Sequence, residues 1–291
     1  MARPPTPRPA RAVLVVPVSN FIEGAVDISR ALVAGRRVTD FLSLQRDDEG
    51  ATAPAPVDGD ILDADSGMTI RSGRFTVIAT ARQADAVALV DRLGGFEPGA
   101  TWNGTPLAAV DPQLLREQLL VADNDAALFA GTLAEVIAGP HTVTDAQVRH
   151  ALHIAAIDDV VHALADGLAS RIDAGGSNLS GGQRQRVRLA RAVMSGPTVL
   201  LAVDPTSAVD AVTEARIAER LVRARRGRTT VVTSTSALML AEADEVHLLV
   251  GGRLVVTGSH TSLLRQEPAY AALVFRGEAP DGPMSDGKGG S

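Results

Sequence analysis

Residues 178–186 read Asn-Leu-Ser-Gly-Gly-Gln-Arg-Gln-Arg, and this stretch combines helix-start signals with two glycines. Ser180 and Gln183 have the spacing of a helix capping box. Apolar residues then follow at helical spacing: Val187, Leu189, Ala190 and Val193. Glycine weakens a helix by about 1 kcal/mol relative to alanine, so Gly181 and Gly182 indicate a ligand rather than helix stability. Uncovered N–H groups at the positive end of a helix dipole suit a phosphate.

Length and composition limit the class of protein. The chain has 291 residues, of which 45% are hydrophobic and 3% aromatic, and its net charge is −6. This size fits one large domain or two modest ones, with a core built mainly from Ala, Val and Leu. The chain contains no cysteine, which excludes disulfides and thiolate metal ligands. The acidic balance argues against a dedicated nucleic-acid-binding protein.

On both sides of the opening stretch, short strands alternate with helices. Strands are predicted at 75–80, 119–122, 198–203 and 228–233, with antiparallel strands within 61–70 and hairpins at 99–107 and 246–257. Helices are predicted at 84–93, 112–118 and 210–226, with a helical cluster over 131–168 and a last helix at 259–266. This alternation predicts an α/β fold. The loop after strand 75–80 is the expected place for a phosphate-binding loop.

The first 57 residues lack this alternation. Residues 1–17 are predicted to be a disordered basic tail, and 47–57 a polar linker with Pro54 and Pro56. Between them, apolar residues recur at three- and four-residue steps over about 20–44, which predicts an amphipathic helix. Periodicity by itself indicates a helix that packs on a soluble domain. The apolar run at 12–18 is too short to span a bilayer, which takes about 18 residues.

Two motifs resemble those of the ATP-binding cassette (ABC) family. Five consecutive residues resemble the signature motif of that family: Leu179, Ser180, Gly181, Gly182 and Gln183. Four consecutive residues resemble the D-loop of that family: Ser207, Ala208, Val209 and Asp210. The resemblance implies a P-loop NTPase-like α/β core, a mixed sheet flanked by helices, with a helical subdomain over about 124–196. It also implies that the signature binds the γ-phosphate of an ATP held by a partner cassette, so a signature is half of a shared site.

The positions with which a cassette holds its own nucleotide depart from the family pattern. Asp85 stands at the lysine position of the phosphate loop and Ala86 at the Mg²⁺-binding hydroxyl, and no glycine remains over 79–86. Exchanging lysine for aspartate turns attraction into repulsion of roughly 3 kcal/mol per unit phosphate charge, at ~5 Å and an effective dielectric near 20. Asn124 replaces the Q-loop glutamine, and Thr235 replaces the switch histidine.

The Walker B region retains one carboxylate where the family uses two. In one alignment, Val203 replaces the metal-binding carboxylate and Asp204 is the second one. In the other, Asp204 is the metal residue and Pro205 replaces the base. Both alignments leave the site short of one carboxylate, so no catalytic residue is assigned with certainty.

The kept and lost motifs predict a degenerate nucleotide-binding domain of a heterodimeric ABC exporter, over 58–276. Residues 18–46 are then a remnant of the last exporter transmembrane helix, and 277–291 a flexible tail. A partner half with intact Walker motifs is expected to hold most of the ATP and Mg²⁺, beside a membrane domain at the cytoplasmic face of the cell membrane.

The sequence also bears on nucleic-acid and metal binding and leaves two alternative functions. No nucleic-acid partner is expected. His150 and His153 lie one helical turn apart but are expected to be structural rather than metal ligands. The alternatives are a stand-alone soluble ABC ATPase, which would need its own phosphate loop, and a non-functional truncated remnant.

Overall fold

The computed structural model describes residues 51–124 and 126–278. The predicted N-terminal tail and the predicted helix at 20–44 lie outside the described residues, as do Asp125 and residues 279–291. Ala53, within the predicted linker, donates its N–H to Ala109 O (3.0 Å) and accepts from Asp111 N (2.9 Å).

Ten of the twelve strands in the described part of the chain occur where strands were predicted, whereas β7, at the start of the predicted helical cluster, and β8 were not predicted. Their bounds are β1 Ile61–Asp63, β2 Met68–Ile70, β3 Phe75–Thr80, β4 Ala100–Trp102, β5 Thr105–Pro106, β6 Leu119–Ala122, β7 Gly131–Thr132, β8 Arg171–Ile172, β9 Val199–Val203, β10 Thr229–Thr233, β11 Glu245–Val250 and β12 Arg253–Gly258.

The helices fill the intervals between these strands. Their bounds are α1 Gln83–Leu93, α2 Pro112–Gln118, α3 Leu133–Ala138, α4 Asp145–Ile154, α5 Asp158–Ala163, α6 Gly181–Met194, α7 Ala211–Ala224, α8 Ala237–Ala241, α9 His260–Gln266 and α10 Pro268–Glu278. Among the residues described, no helix combines the length and apolar character needed to cross a membrane.

A six-stranded mixed sheet forms the centre of the fold. Its strand order is β12-β11-β3-β10-β9-β6, with β12 antiparallel to β11 and the other neighbours parallel. Strands β3 and β9 are largely apolar, buried runs because helices cover both sheet faces. Along β3, Val77 packs into the core cluster under the helical layer, whereas Ile78 packs into the cluster shared with α1. The α/β prediction is confirmed.

Two smaller layers complete the domain. Strands β2-β1-β4-β5 form an antiparallel sheet. Helices α3, α4 and α5 form the predicted helical cluster, which shares its core with α6 through Leu152 and Val187. The ion pair between Arg186 Nη1 and Asp159 Oδ1, at 2.7 Å, ties α6 to α5.

Two predicted helix bounds are wrong. The helix predicted to run through residue 168 ends at Ala163, and a short 3-10 turn follows at Gly167–Ala169. The helix at 259–266 is not the last, because α10 follows it directly. Pro268 suits the first position of a helix, and Tyr270 and Val274, one turn apart, are fully buried. Tertiary burial of these two side chains stabilises a helix whose local pattern is weak.

Candidate functional site

The carboxyl ends of β3, β9 and β10 meet at one edge of the central sheet, because Thr233 pairs with Ile78 on one side and Val203 on the other. Ligands of open α/β sheets bind at such edges. A cavity of about 320 Å³, here called the sheet-edge cavity, opens there. Its lining residues include Thr80, Gln83, Ala86, Asp204, Thr235 and Leu273.

The first turn of α1 borders the sheet-edge cavity and has no phosphate cradle. Arg82 occupies the N-cap position, but its side chain makes no capping hydrogen bond. Ala86 lines the cavity and is buried. Asp85 is not among the lining residues, and its Oδ2 is buried without a hydrogen-bond partner among the described residues. A carboxylate in this turn opposes an incoming phosphate, whereas a lysine would attract it.

Asp204 supplies the one carboxylate among the described lining residues of the sheet-edge cavity. Its backbone is held in the left-handed region, at φ 41°. There its N–H donates to both O (3.1 Å) and Oγ1 (3.0 Å) of Thr233. Burial raises the pKa of the Asp204 carboxyl, and a hydrogen bond with the Thr233 side chain offsets part of this shift. Val203, the other Walker B candidate, is buried in the core and supplies no charge.

The N-terminus of α6 is built as an anion site. Ser180 Oγ accepts from Gln183 N (3.3 Å), and Gln183 Oε1 accepts from Ser180 N (2.8 Å), which confirms the predicted capping box. Gly181 is exposed, and a side chain there would meet nothing within 4 Å. The described residues offer no acceptor to the Gly181 and Gly182 N–H groups. These N–H groups and the helix dipole are therefore available to an anion.

Gly182 joins α6 to the D-loop (residues 207–210). A Cβ built at Gly182 would lie 2.5 Å from the backbone oxygen of Ala208. Only glycine allows this close approach between the helix and the loop. Asp210 closes the loop as the N-cap of α7, where its side chain accepts from Thr213 N (3.0 Å). That backbone bond is the main reason why the pKa of Asp210 is lowered. The exposed N-terminus of α6 and the D-loop thus form one surface, here called the signature surface (Ser180–Gly182 and Ser207–Val209).

A buried glutamine that the sequence analysis did not single out lies behind the signature surface. Gln185 is 4% exposed. Its Nε2 donates to Asn124 Oδ1 (2.8 Å), Asp204 O (2.8 Å) and Ser207 Oγ (3.0 Å). Its Oε1 accepts from Ala208 N (2.9 Å). Asn124 Nδ2 donates to Val203 O (3.2 Å) and Asp204 O (3.1 Å). We call these hydrogen bonds the Asn124–Gln185 network. The apolar periodicity of the sequence identifies Gln185 only as a position on a helix and does not predict these contacts.

A groove of about 420 Å³ lies between the sheet core and the helical cluster. Arg188 and Arg191 of α6 line it, together with Arg116 of α2. Arg188 Nε donates to Ala126 O (2.7 Å), and the Arg191 guanidinium lies 5.8 Å from the ring centroid of Phe129, which is 70% exposed. Phe129 therefore presents an exposed apolar ring next to Arg191, one of the cationic residues that line the groove beside the predicted Q-loop.

Comparisons with known proteins match the chain to ABC transporters. Residues 89–207 match the protein-family model described as ABC transporter. Over 171 residues the chain is 37% identical to an ATP-dependent lipid A-core flippase of Burkholderia orbicola, covering 59% of this chain and 29% of the flippase. Over 277 residues it is 34% identical to a multidrug efflux ATP-binding/permease protein of Mycobacterium bovis, covering 94% of this chain and 22% of that protein.

A solved structure extends the comparison to the fold. A bacterial Atm1-family ABC exporter with ATP bound matches with a TM-score of 0.74 and 25% sequence identity. The match covers 87% of this chain and 48% of the exporter chain. The fold is therefore that of an ABC nucleotide-binding domain, a class that binds ATP and Mg²⁺. Its relatives are exporters, of whose length this chain spans less than half.

Proposed function

We propose that this chain is a degenerate nucleotide-binding subunit of an ABC exporter, which supplies its signature and D-loop in trans to the ATP site of a partner subunit. The contrast between the two sites carries the proposal. The signature surface has an intact capping box, an open Gly181 and N–H groups available to a phosphate. The sheet-edge cavity has Ala86 and Thr235 at its lining and one half-buried carboxylate, Asp204.

The roles of the individual residues follow from this division. Ser180 offers its hydroxyl, and Gly181 and Gly182 offer their N–H groups, to the γ-phosphate held by the partner. The helix N-terminus adds roughly half a positive charge. Preorganised donors of this kind are each worth ~3 kcal/mol at a developing anion. Ser207, Ala208 and Val209 then lie beside the phosphate, and the partner binds most of the ATP and Mg²⁺.

The chain's own site is proposed to be inactive. Leu273 brings an apolar side chain to the lining of the sheet-edge cavity, where a working site needs polar donors. Asp204 alone cannot serve both as the metal ligand and as the base that polarises water. Asp85, Ala86, Asn124, Val203 and Thr235 are proposed to be the degenerate positions.

The groove beside Phe129 supports a second contact, with a membrane domain. An exposed aromatic ring next to arginines fits an amphipathic helix with apolar and acidic side chains. We propose that the membrane domain of the exporter docks there, which would hold this chain at the cytoplasmic face of the cell membrane. The names of its relatives, a lipid A-core flippase and a multidrug efflux protein, point to lipids or drugs as the class of substrate.

A pair of substitutions tests the proposal in the complex of this chain with a half-exporter whose Walker motifs are intact. Gly181→Asp should reduce ATP turnover by at least about 100-fold. The new carboxylate would occupy the space that the γ-phosphate needs and would block the N–H donors of Gly181 and Gly182. The fold should persist, since nothing lies within 4 Å of the new Cβ. Asp204→Asn should change turnover by less than about twofold, because this chain's own site is proposed to be inactive. If Asp204→Asn abolishes turnover and Gly181→Asp spares it, the proposed division is reversed.

A further inference from the structure

The Asn124–Gln185 network uses the side-chain amides of both residues. Asn124 places both of its N–H groups on backbone carbonyls, and its oxygen accepts from Gln185. Gln185 uses its own oxygen for Ala208 N and its nitrogen for three acceptors. A two-hydrogen amide can serve three acceptors when one N–H is shared. Neither amide is therefore left to reach a metal or a water in the sheet-edge cavity.

The network connects the loop after β6 to both halves of the signature surface. Asn124 holds the backbone at residues 203 and 204, and Gln185, on α6, holds Ser207 and Ala208. Gly182, one turn before Gln185, lies so close to the backbone oxygen of the same Ala208 that a Cβ there would clash with it. Buried and satisfied amide networks of this kind rigidify the elements that they join.

The length of the Asn124 side chain decides whether this network can form. A glutamine is one methylene longer, so its amide group would lie about 1.5 Å further from the backbone. With the same Cα position and the same direction of the side chain, we expect that amide to overshoot the carbonyls of Val203 and Asp204 and the Gln185 amide, which Asn124 contacts at 2.8–3.2 Å. A buried polar group that loses its hydrogen-bond partner destabilises the folded state.

We infer that Asn124 is a positioning residue, which acts through Gln185 to hold the signature surface in one arrangement whether or not a nucleotide occupies this chain's own cavity. In this inference, which rests on the proposed function, the shortened side chain is more than a lost Q-loop contact. It converts a nucleotide-responsive position into a fixed brace for the surface offered to the partner.

The first test measures hydrogen exchange of the Ala208 N–H by NMR in the full isolated chain. Asn124→Gln should speed this exchange by about 10-fold, the equivalent of one lost hydrogen bond. Exchange at Leu201, in the middle of β9, should stay unchanged, because the sheet is intact. Asn124→Ala, which removes the amide without adding bulk, should have the same effect on Ala208. Unchanged exchange at Ala208 in both variants overturns the inference, whatever the complex does.

The second test measures ATP turnover by the mixed complex. Asn124→Gln should lower kcat by roughly 10-fold and leave KM for ATP unchanged, because the partner holds the nucleotide while the donors are displaced. Gln113→Glu, at an exposed amide on α2, is the matched control and should leave both constants unchanged. A variant with faster exchange at Ala208 but normal kcat shows a purely structural network and overturns the positioning role.

The two proposals fail in different ways. If Gly181→Asp leaves the turnover of the mixed complex unchanged, the proposed function fails, even where Asn124→Gln alters exchange. If Gly181→Asp abolishes turnover and Asn124→Gln leaves kcat unchanged, the proposed function stands and the role of Asn124 is wrong. A rise in turnover with Asn124→Gln would contradict the brace directly.

Discussion

Two helix N-termini in this domain, those of α1 and α6, differ in the chemistry of their first turns. Helix α6 starts with a reciprocal capping box and two glycines. Helix α1 starts with an uncapped Arg82 and continues with Ala84, Asp85 and Ala86. Both helices have the same favourable dipole, which is worth about 0.3–1 kcal/mol for an anion at an exposed end. The dipole is therefore common to both sites, and the side chains distinguish them.

An anion site at a helix N-terminus needs open space around the backbone donors as well as a favourable helix dipole. At α6 the position of Gly181 opens to solvent, so a phosphate can reach backbone donors at hydrogen-bond distance. At α1, Ala84, Asp85 and Ala86 carry Cβ atoms in the first turn, and Ala86 borders the sheet-edge cavity. Cβ atoms keep a ligand from the backbone, and the Asp85 charge opposes phosphate. We therefore expect the N-terminus of α6 to bind a phosphate and the N-terminus of α1 not to bind one.

The largest expected effect is the absence of ATP binding at the α1 side. The isolated chain should show no saturable Mg-ATP binding up to about 1 mM by isothermal titration calorimetry, because the glycine cradle and the lysine are both missing. This is at least about 1000-fold weaker than micromolar binding, or ~4 kcal/mol. Micromolar binding by the lone chain would remove the distinction between the two N-termini.

A substitution at Asp85 sharpens the same prediction. Asp85→Lys should leave titrations without measurable heat, because a restored charge does not restore the backbone donors that glycines would expose. Asp85→Asn serves as its neutral control. Binding that appears with Asp85→Lys and not with Asp85→Asn would show that charge, rather than backbone access, had disabled the site.

A pair of glycine variants tests the difference inside α6. Gly182→Ala should lower the kcat of the mixed complex by about 10-fold and cost roughly 1–3 kcal/mol of stability, because the new methyl overpacks against Ala208 O. Gly181→Ala, with open space around it, should leave the free energy of unfolding unchanged or slightly higher. Chemical denaturation of both variants compares them. Equal stability losses would contradict the separate roles of the two glycines.

The smallest effect concerns Asp204 and pH. Burial raises the folded-state pKa of Asp204 above an unfolded value of about 3.9. The folded state therefore holds this proton more tightly, and the stability that it adds below about pH 4 is lost as pH rises through the folded pKa. Asp204→Asn should raise Tm by about 2 °C at about pH 7, and asparagine also tolerates a positive φ.

The control for this prediction is the same pair of proteins at low pH. The advantage of Asp204→Asn should shrink towards zero near about pH 4, where the wild-type carboxyl is protonated. Thermal unfolding at both pH values measures this. An advantage that stays constant with pH would point to the backbone at φ 41° rather than to the buried charge.

Local patterns predicted most of the secondary structure. The capping box at Ser180 and the apolar runs at β3 and β9 depend on neighbours within a few residues, so they can be recognised without a fold. Helix α10 and the early end of α5 at Ala163 could not be recognised in this way. The first depends on burying Tyr270 and Val274 against distant elements, and helix ends are weakly encoded.

The sequence by itself determined the α/β order, the motif at 178–186, and the absence of glycine and lysine from residues 79–86. These are properties of residue type and spacing. Only the tertiary structure decided that Gly181 is open while Gly182 packs against Ala208, and that Asn124 and Gln185 share a hydrogen bond across 61 positions of chain. Such contacts arise from the packing of α6 against the loops after β6 and β9, and no local pattern specifies a distance between residues so far apart.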